Sequence, residues 1–175
     1  AHQITISCTG FTFMVPLGIA MAVTIRVGHS IGCGQPERCR PILVGAHLST
    51  LLLMGASALT FLFGGVWIAS LFSPDPGVIE ATAALLAIAA AFQIFDGGQV
   101  VSMGGLRGIK DVNIPTALIF FGFWIIGIPL GAYLAFARNF GPRGLWIGLA
   151  TGLGVVALVL TLRLTQKLRK KLEAD

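Results

Sequence analysis

Residues 41–72 read PILVGAHLSTLLLMGASALTFLFGGVWIASLF, 32 consecutive positions without an Asp, Glu, Lys or Arg. A helix needs about 20 apolar residues to cross the hydrocarbon of a bilayer, and this run exceeds that length. It is far too long for a strand and lacks the period-two alternation of a membrane barrel. A helix satisfies its own backbone hydrogen bonds, so helix is the default for such a run in lipid. The same reading extends outward in both directions. Apolar spans are expected at about 4–25, 42–72, 78–105, 114–137 and 145–164. Between them lie a Gly- and Pro-bearing polar segment at 28–41, SPDPG at 73–77, RGIKDVN at 107–113 and RNFGPRG at 138–144. Their glycines and prolines act as breakers. The expected fold is an all-α membrane protein with five transmembrane helices.

Composition supports the same reading. Of the 175 residues, 55% are hydrophobic and 11% charged, against about 25% charged in an ordinary soluble domain. A soluble fold of this size would have too few charges to cover its surface. The net charge of +5 does not point to nucleic acid, because the basic residues sit in loops between apolar runs and no soluble domain surrounds them. The densest cluster, Arg163 to Lys171, reads as a juxtamembrane anchor that meets anionic lipid. Cys8, Cys33 and Cys39 match no metal-binding spacing and read as isolated small apolar residues. The chain opens at Ala1 with no signal-peptide pattern and is expected to be the interior of a longer protein.

Ten of the twelve basic residues (Arg26, Arg38, Arg40, Arg107, Lys110, Arg163, Lys167, Arg169, Lys170 and Lys171) fall on one side of a five-helix arrangement. Only Arg138 and Arg143 fall on the other. The positive-inside rule places the first group in the cytoplasm, with the N-terminal end outside and the C-terminus inside. Trp67 and Trp146 are expected at the outer interface, as aromatic-belt residues, and Trp124 deeper, packed or lining a cavity. Gly97, Gly98, Gly104 and Gly105 read first as close-packing positions. Pro16 and Pro129 fall inside helices and are expected to kink them.

The residue that carries chemistry is Asp96. It lies eleven positions before Arg107, about 16 Å along a helix, and so well inside the hydrocarbon. A charge there costs about 2.5–3.5 kcal/mol on insertion scales, which packing alone does not justify. Two states lower the cost, a protonated carboxyl and a carboxylate holding a cation in a wet cavity. An ion-coupled carrier needs those two states. Gln93 and Gln99 lie three residues to either side and share a sector of the helix with Asp96. They are expected cation or substrate contacts, with Asp96 as the Na+ ligand if sodium is the coupling ion. The alternative is a structural bridge from Asp96 to a basic residue on another helix. His2, His29 and His47 read as solvated or interfacial. No second deep aspartate accompanies Asp96, so an intramembrane aspartic protease, which needs an acid and a base facing each other, is not supported. No catalytic residue, enzymatic activity or cofactor is expected.

Four segments carry a family likeness: IRVGHSIG at 25–32, FDGGQVVSMGGLRGIKD at 95–111, WIIGIPLG at 124–131 and GLWIG at 144–148. Together they make the chain similar to the multidrug and toxic compound extrusion (MATE) family, nearest to its bacterial NorM-type branch, over nearly its whole length. The resemblance implies twelve helices in two six-helix lobes, of which this chain would supply five of the C-terminal lobe. The N-terminal lobe and the first helix of this lobe would be missing partners. It implies exchange of cationic or amphipathic drugs for Na+ or H+ across the bacterial inner membrane, in contact with membrane lipids. It also implies that Asp96 is the acidic residue of the C-terminal-lobe cation site, without the partner glutamate of the family's seventh helix. Arg26 and Arg107 match recurrent basic positions at cytoplasmic helix ends and are expected structural anchors. Two other readings are a flippase-like carrier of lipid-linked saccharides, which would want basic residues in its lumen, and a non-transporting membrane subunit.

Overall fold

The computed structural model describes residues 1–173. Five long helices follow one another. They are α1 (His2–Gly32), α2 (Cys39–Phe72, entered through the short turn Pro36–Arg38), α3 (Pro76–Gly108), α4 (Asn113–Ala137) and α5 (Pro142–Leu172). All five are long and apolar enough to cross a membrane, and the described residues contain no strand. The protein is an integral membrane protein.

The helices run past the apolar spans. α1 continues to Gly32 and takes up the first part of the polar segment expected at 28–41. α5 starts at Pro142 and continues to Leu172. An apolar span measures hydrocarbon thickness, whereas a helix carries on into the interface, where Arg and Lys stems lie along it and their charges reach water. Arg169, Lys170 and Lys171 occupy the last turn of α5, where cations complement the negative end of the helix dipole. α3 starts sharply because Asp75 caps it. The Asp75 carboxylate accepts from the Gly77 and Val78 amides at 2.8 and 3.3 Å, and Pro76 sits at the first helical position, where its missing N–H is not needed.

The two internal prolines differ. α1 is unbroken through buried Pro16. In α4, the α-helical segment Ile128–Ala132 that holds Pro129 lies between two wide turns of π-helix, Gly122–Gly127 and Tyr133–Ala137. A proline removes one backbone donor, and π turns are a way to re-register the bonds around such a gap.

α3 is the hub. It packs against α1, α2 and α5, while α4 packs chiefly on α5. Small residues make the close approaches. A Cβ at Gly104 on α3 would lie 2.6 Å from the Ala20 carbonyl oxygen of α1, and the Thr24 hydroxyl donates to the Gly104 carbonyl at 3.0 Å across the same seam. Gly148 on α5 lies against Gly131 of α4 so closely that any side chain there would strike its backbone. The glycines of WIIGIPLG and GLWIG therefore form the α4–α5 contact, with small residues taking the part that burial from water plays in soluble folds.

Two apolar clusters fill the interior. One joins Val23, Val27, Leu43, Val101, Leu106, Leu160 and Leu164. The other joins Ala58, Phe61, Leu85, Leu86, Ala89, Ala90 and Trp146. Between them α3 contributes the interval 91–100, and that interval holds Gln93, Asp96 and Gln99.

Candidate cation-coupling site

Asp96 sits about two-thirds of the way along α3, half-buried, with the buried residues Gln93 and Gly97 beside it. Among the described residues its carboxylate forms no ion pair and no hydrogen bond. All three ion pairs involve other acids: Asp111 with Arg163 and Lys167, and Glu173 with Arg169. A fixed structural bridge from Asp96 to a basic side chain is therefore absent among these residues.

Gln93 and Gln99 share the Asp96 sector but turn to different neighbours. Gln93 is 1% exposed, and its Oε1 accepts from the Ser57 hydroxyl of α2 at 3.0 Å. Its Nε2 is buried with no partner among the described residues. Gln99, also buried, lines a cavity of ≈ 200 Å³ with Phe13, Leu17, Met21 and Thr24 of α1 and with Met103 and Arg107. Neither amide hydrogen-bonds the Asp96 carboxylate. One turn of an α-helix spans 100° per residue, so residues three apart diverge by about 60° to either side. That is enough to send the two amides into different interfaces.

A second orphan polar atom lies next to Asp96. The Thr50 hydroxyl on α2 is buried without a partner, and its methyl group is what a Cβ on Gly97 would strike, at 2.6 Å. Buried polar atoms are normally paired with protein or water. An unpaired carboxylate with an unpaired amide one turn away and an unpaired hydroxyl against the next residue make this a polar interval of α3, which also buries the unpaired Thr82 hydroxyl nearer its start. The described residues contain no cluster of three or more His, Cys, Asp or Glu. Any cation at Asp96 would therefore take its other ligands from neutral oxygens, water or residues beyond this chain.

Arg26 and Arg107 are both exposed, near the end of α1 and in the last turn of α3. Arg26 and Arg38 line a groove with Ile19, Val23, Ile42 and Ala46. Neither Arg26 nor Arg107 forms an ion pair among the described residues. The three cysteines are free.

The MatE family profile matches residues 1–133. The chain belongs to the MatE family. Two bacterial relatives show how much of a MatE protein it represents. It is 39% identical over 170 residues to the probable multidrug resistance protein NorM of Xanthomonas axonopodis pv. citri, an alignment covering 97% of this chain and 37% of that protein. It is 38% identical over 173 residues to the multidrug resistance protein PmpM of Pseudomonas aeruginosa, with 97% and 36% covered. The structure also superposes on the eukaryotic MATE transporter AtDTX14 with a TM-score of 0.85 at 24% identity, covering 98% of this chain and 40% of that one. The MatE chain thus spans little more than a third of the length of these relatives, and its fold is that of part of a transporter lobe.

The structure gives partners to several polar and aromatic residues of this MatE chain. His47, near the start of α2, is half-buried. Its Nδ1 lies 2.9 Å from the Leu43 carbonyl and its Nε2 3.1 Å from the Ser102 hydroxyl of α3. His2 is exposed, as expected, and its Nδ1 accepts from the Trp146 indole at 3.1 Å. Trp146 is accordingly 6% exposed, edge-on to His2 and Phe92, and lies in the core instead of an aromatic belt. Trp124, expected to be packed or to line a cavity, stacks on Phe120 and is 60% exposed within this chain. Trp146 lies two residues from Gly144 and from Gly148, about 160° round the helix, so while the glycines face α4 the indole faces α1 and α3, which the local pattern does not record.

Proposed function

We propose that this chain is the ion-carrying part of the C-terminal lobe of a secondary active multidrug efflux transporter, which exchanges cationic or amphipathic compounds for Na+ or H+. The observation that carries the reading is Asp96: a carboxylate within a membrane-spanning helix, joined to no cation of the described chain, with unpaired polar atoms beside it. A group left in that state is tolerable in lipid when a proton or a small cation comes and goes.

The names of the bacterial relatives, multidrug resistance proteins, support drugs as the cargo and a bacterial inner membrane as the location. Ten of twelve basic residues on one side support an outside N-terminal end and a cytoplasmic C-terminal end. The apolar outward faces, with Phe11, Phe63 and Phe136 each about four-fifths exposed, are taken as contacts with lipid and with the rest of the transporter. No catalytic step is assigned. Binding of an ion at Asp96 changes the charge of α3, the helix that contacts α1, α2 and α5. The ion then drives the cycle by binding one packing of these helices better than the other. Gln93 and Gln99 extend the polar interval toward α2 and α1, where an ion shell or a substrate can use their amides. Arg26 and Arg107 hold helix ends at the cytoplasmic interface.

Drug efflux by the full-length transporter carrying Asp96→Asn, driven by a sodium or a proton gradient, tests this. Export that no longer responds to the gradient is the expected result. Export with unchanged gradient dependence removes Asp96 from coupling.

A further inference from the structure

We propose that the groove between α1 and α2 binds an anionic glycerophospholipid, with Arg26 and Arg38 on its phosphate and an acyl chain along the apolar walls. The groove is open and measures ≈ 520 Å³. Ile19, Ala22 and Val23 of α1 form one wall, and Ile42, Gly45 and Ala46 of α2 the other. Arg26 is the last residue of α1 along it, and Arg38 lies in the turn just before α2. Both charges therefore belong to the end of the groove nearest the α1–α2 turn. From Arg26 back to Ile19 the wall rises about 10 Å at helical pitch. One leaflet of the hydrocarbon core is about 15 Å deep. The groove thus runs from a charged end at the interface through most of a leaflet, which is the shape and polarity of a headgroup followed by a chain.

The charges ask for an anion. Neither Arg26 nor Arg38 forms an ion pair among the described residues. Glu37 adjoins Arg38 in sequence but does not line the groove. A second basic groove, at Arg40 and Arg169, differs in this respect, because Arg169 is answered by Glu173 at 2.8 Å. Arg26 stands six residues before the end of α1, and a long basic side chain at such a depth lays its stem along the helix and carries its charge to the interface. A guanidinium is a planar fork of donors that matches two phosphate oxygens at once. Basic pockets between membrane helices take anionic headgroups for this reason. A neutral or cationic occupant would leave both guanidiniums unmatched.

Gly45 shapes the apolar part. Glycine inside a helix weakens it relative to alanine. Gly104 and Gly148 sit where a neighbouring backbone comes too close for a side chain, whereas a Cβ at Gly45 would meet nothing within 4 Å. Gly45 therefore leaves a notch in the groove wall in which a methylene chain can lie against the α2 backbone. The other occupant to weigh is a helix from the remainder of the transporter, since the alignment covers 37% of the Xanthomonas relative. Such a helix would have to bring a carboxylate to the two guanidiniums, whereas a lipid places its phosphate at that level by its own geometry. The site requires only the membrane-spanning fold. It depends neither on ion exchange at Asp96 nor on which side is cytoplasmic.

The test uses the full-length transporter in phosphatidylcholine vesicles doped with either phosphatidylglycerol or phosphatidylcholine that carries a photoreactive diazirine on one acyl chain. Cross-linked peptides are mapped by mass spectrometry. Phosphatidylglycerol is expected to label the groove walls within residues 19–49 more than phosphatidylcholine does, on the order of tenfold for two basic residues at one headgroup. The double variant Arg26→Gln, Arg38→Gln should bring phosphatidylglycerol down to the phosphatidylcholine level. Gly45→Leu keeps both arginines and grows into open space, so the protein should melt as before while labelling of the groove falls. Absence of labelling there, the outcome if another helix of the transporter fills the groove, overturns the proposal. So does equal labelling by the two lipids, or phosphatidylglycerol labelling that Gly45→Leu leaves unchanged in a folded protein. Labelling is read without transport, so its result stands whether or not Asp96→Asn abolishes coupling.

Discussion

Asp96 and Asp111 lie 15 residues apart, and the fold treats them in opposite ways. Asp111 follows the end of α3, where its Oδ2 accepts from Arg163 Nε and Nη2 at 2.8 Å each, with Lys167 Nζ at 3.9 Å. Its side chain is 14% exposed and that of Arg163 22%. Its charge is fully answered by one helix, and it ties the end of α3 to α5. Asp96, inside α3, is answered by nothing in the described chain. Where a carboxylate has a permanent cation it is a fastener. Where it has none, in a place that penalises charge, it suits the ion-binding role proposed above.

Neutralising each in the full-length transporter should separate the two roles. Asp96→Asn is expected to abolish the dependence of export on the driving ion, a loss within the 5- to 150-fold range of ordinary linkage, with thermal stability kept or raised because an unpaired charge has gone. Melting of the purified protein beside transport in vesicles measures both. Asp111→Asn is expected to do the reverse. It loses stability on the order of 2 kcal/mol, the scale of a hydrogen bond to a charged partner, and keeps the ion dependence of whatever export survives. A smaller effect sharpens the boundary of the Asp96 interval. Gln93→Leu removes a buried orphan amide and the acceptor of Ser57, so stability should move by less than about 1 kcal/mol, while the driving-ion concentration for half-maximal export rises. If that concentration does not change, the amide belongs to packing alone. The smallest effect is expected beside Asp111. Lys110 holds a positive φ of 64°, a conformation that costs an L-residue roughly 1 kcal/mol. Lys110→Gly should therefore raise the melting temperature slightly without touching transport.

The five helices were legible because lipid imposes a length on every span, and runs such as 41–72 advertise it. Asp96 was legible for the same reason, as a charge inside a run that should have none. The partners were not. A helical wheel places Gln93 and Gln99 beside Asp96, yet which helix each amide meets depends on rotations about α1 and α2 that no local pattern records. The position of His47 along α2 can be read, but its partner Ser102 is 55 positions away. Trp146 looked like a belt residue because depth is read from distance to a loop, whereas its burial follows from His2 of α1 and Phe92 of α3 packing on it. The helix ends overran the apolar spans because hydropathy marks where lipid stops and not where backbone hydrogen bonding stops.

The most direct measurement of the contrast is carbodiimide modification of the full-length transporter in lipid, followed by mass spectrometry of the peptides bearing Asp96 and Asp111, since the reagent attacks protonated, reachable carboxyls. The account predicts labelling at Asp96 that rises as pH falls and is suppressed by Na+ if sodium is the coupling ion, with Asp111 protected by Arg163 throughout. Labelling of Asp96 indifferent to both pH and Na+, or none while Asp111 reacts, would contradict it.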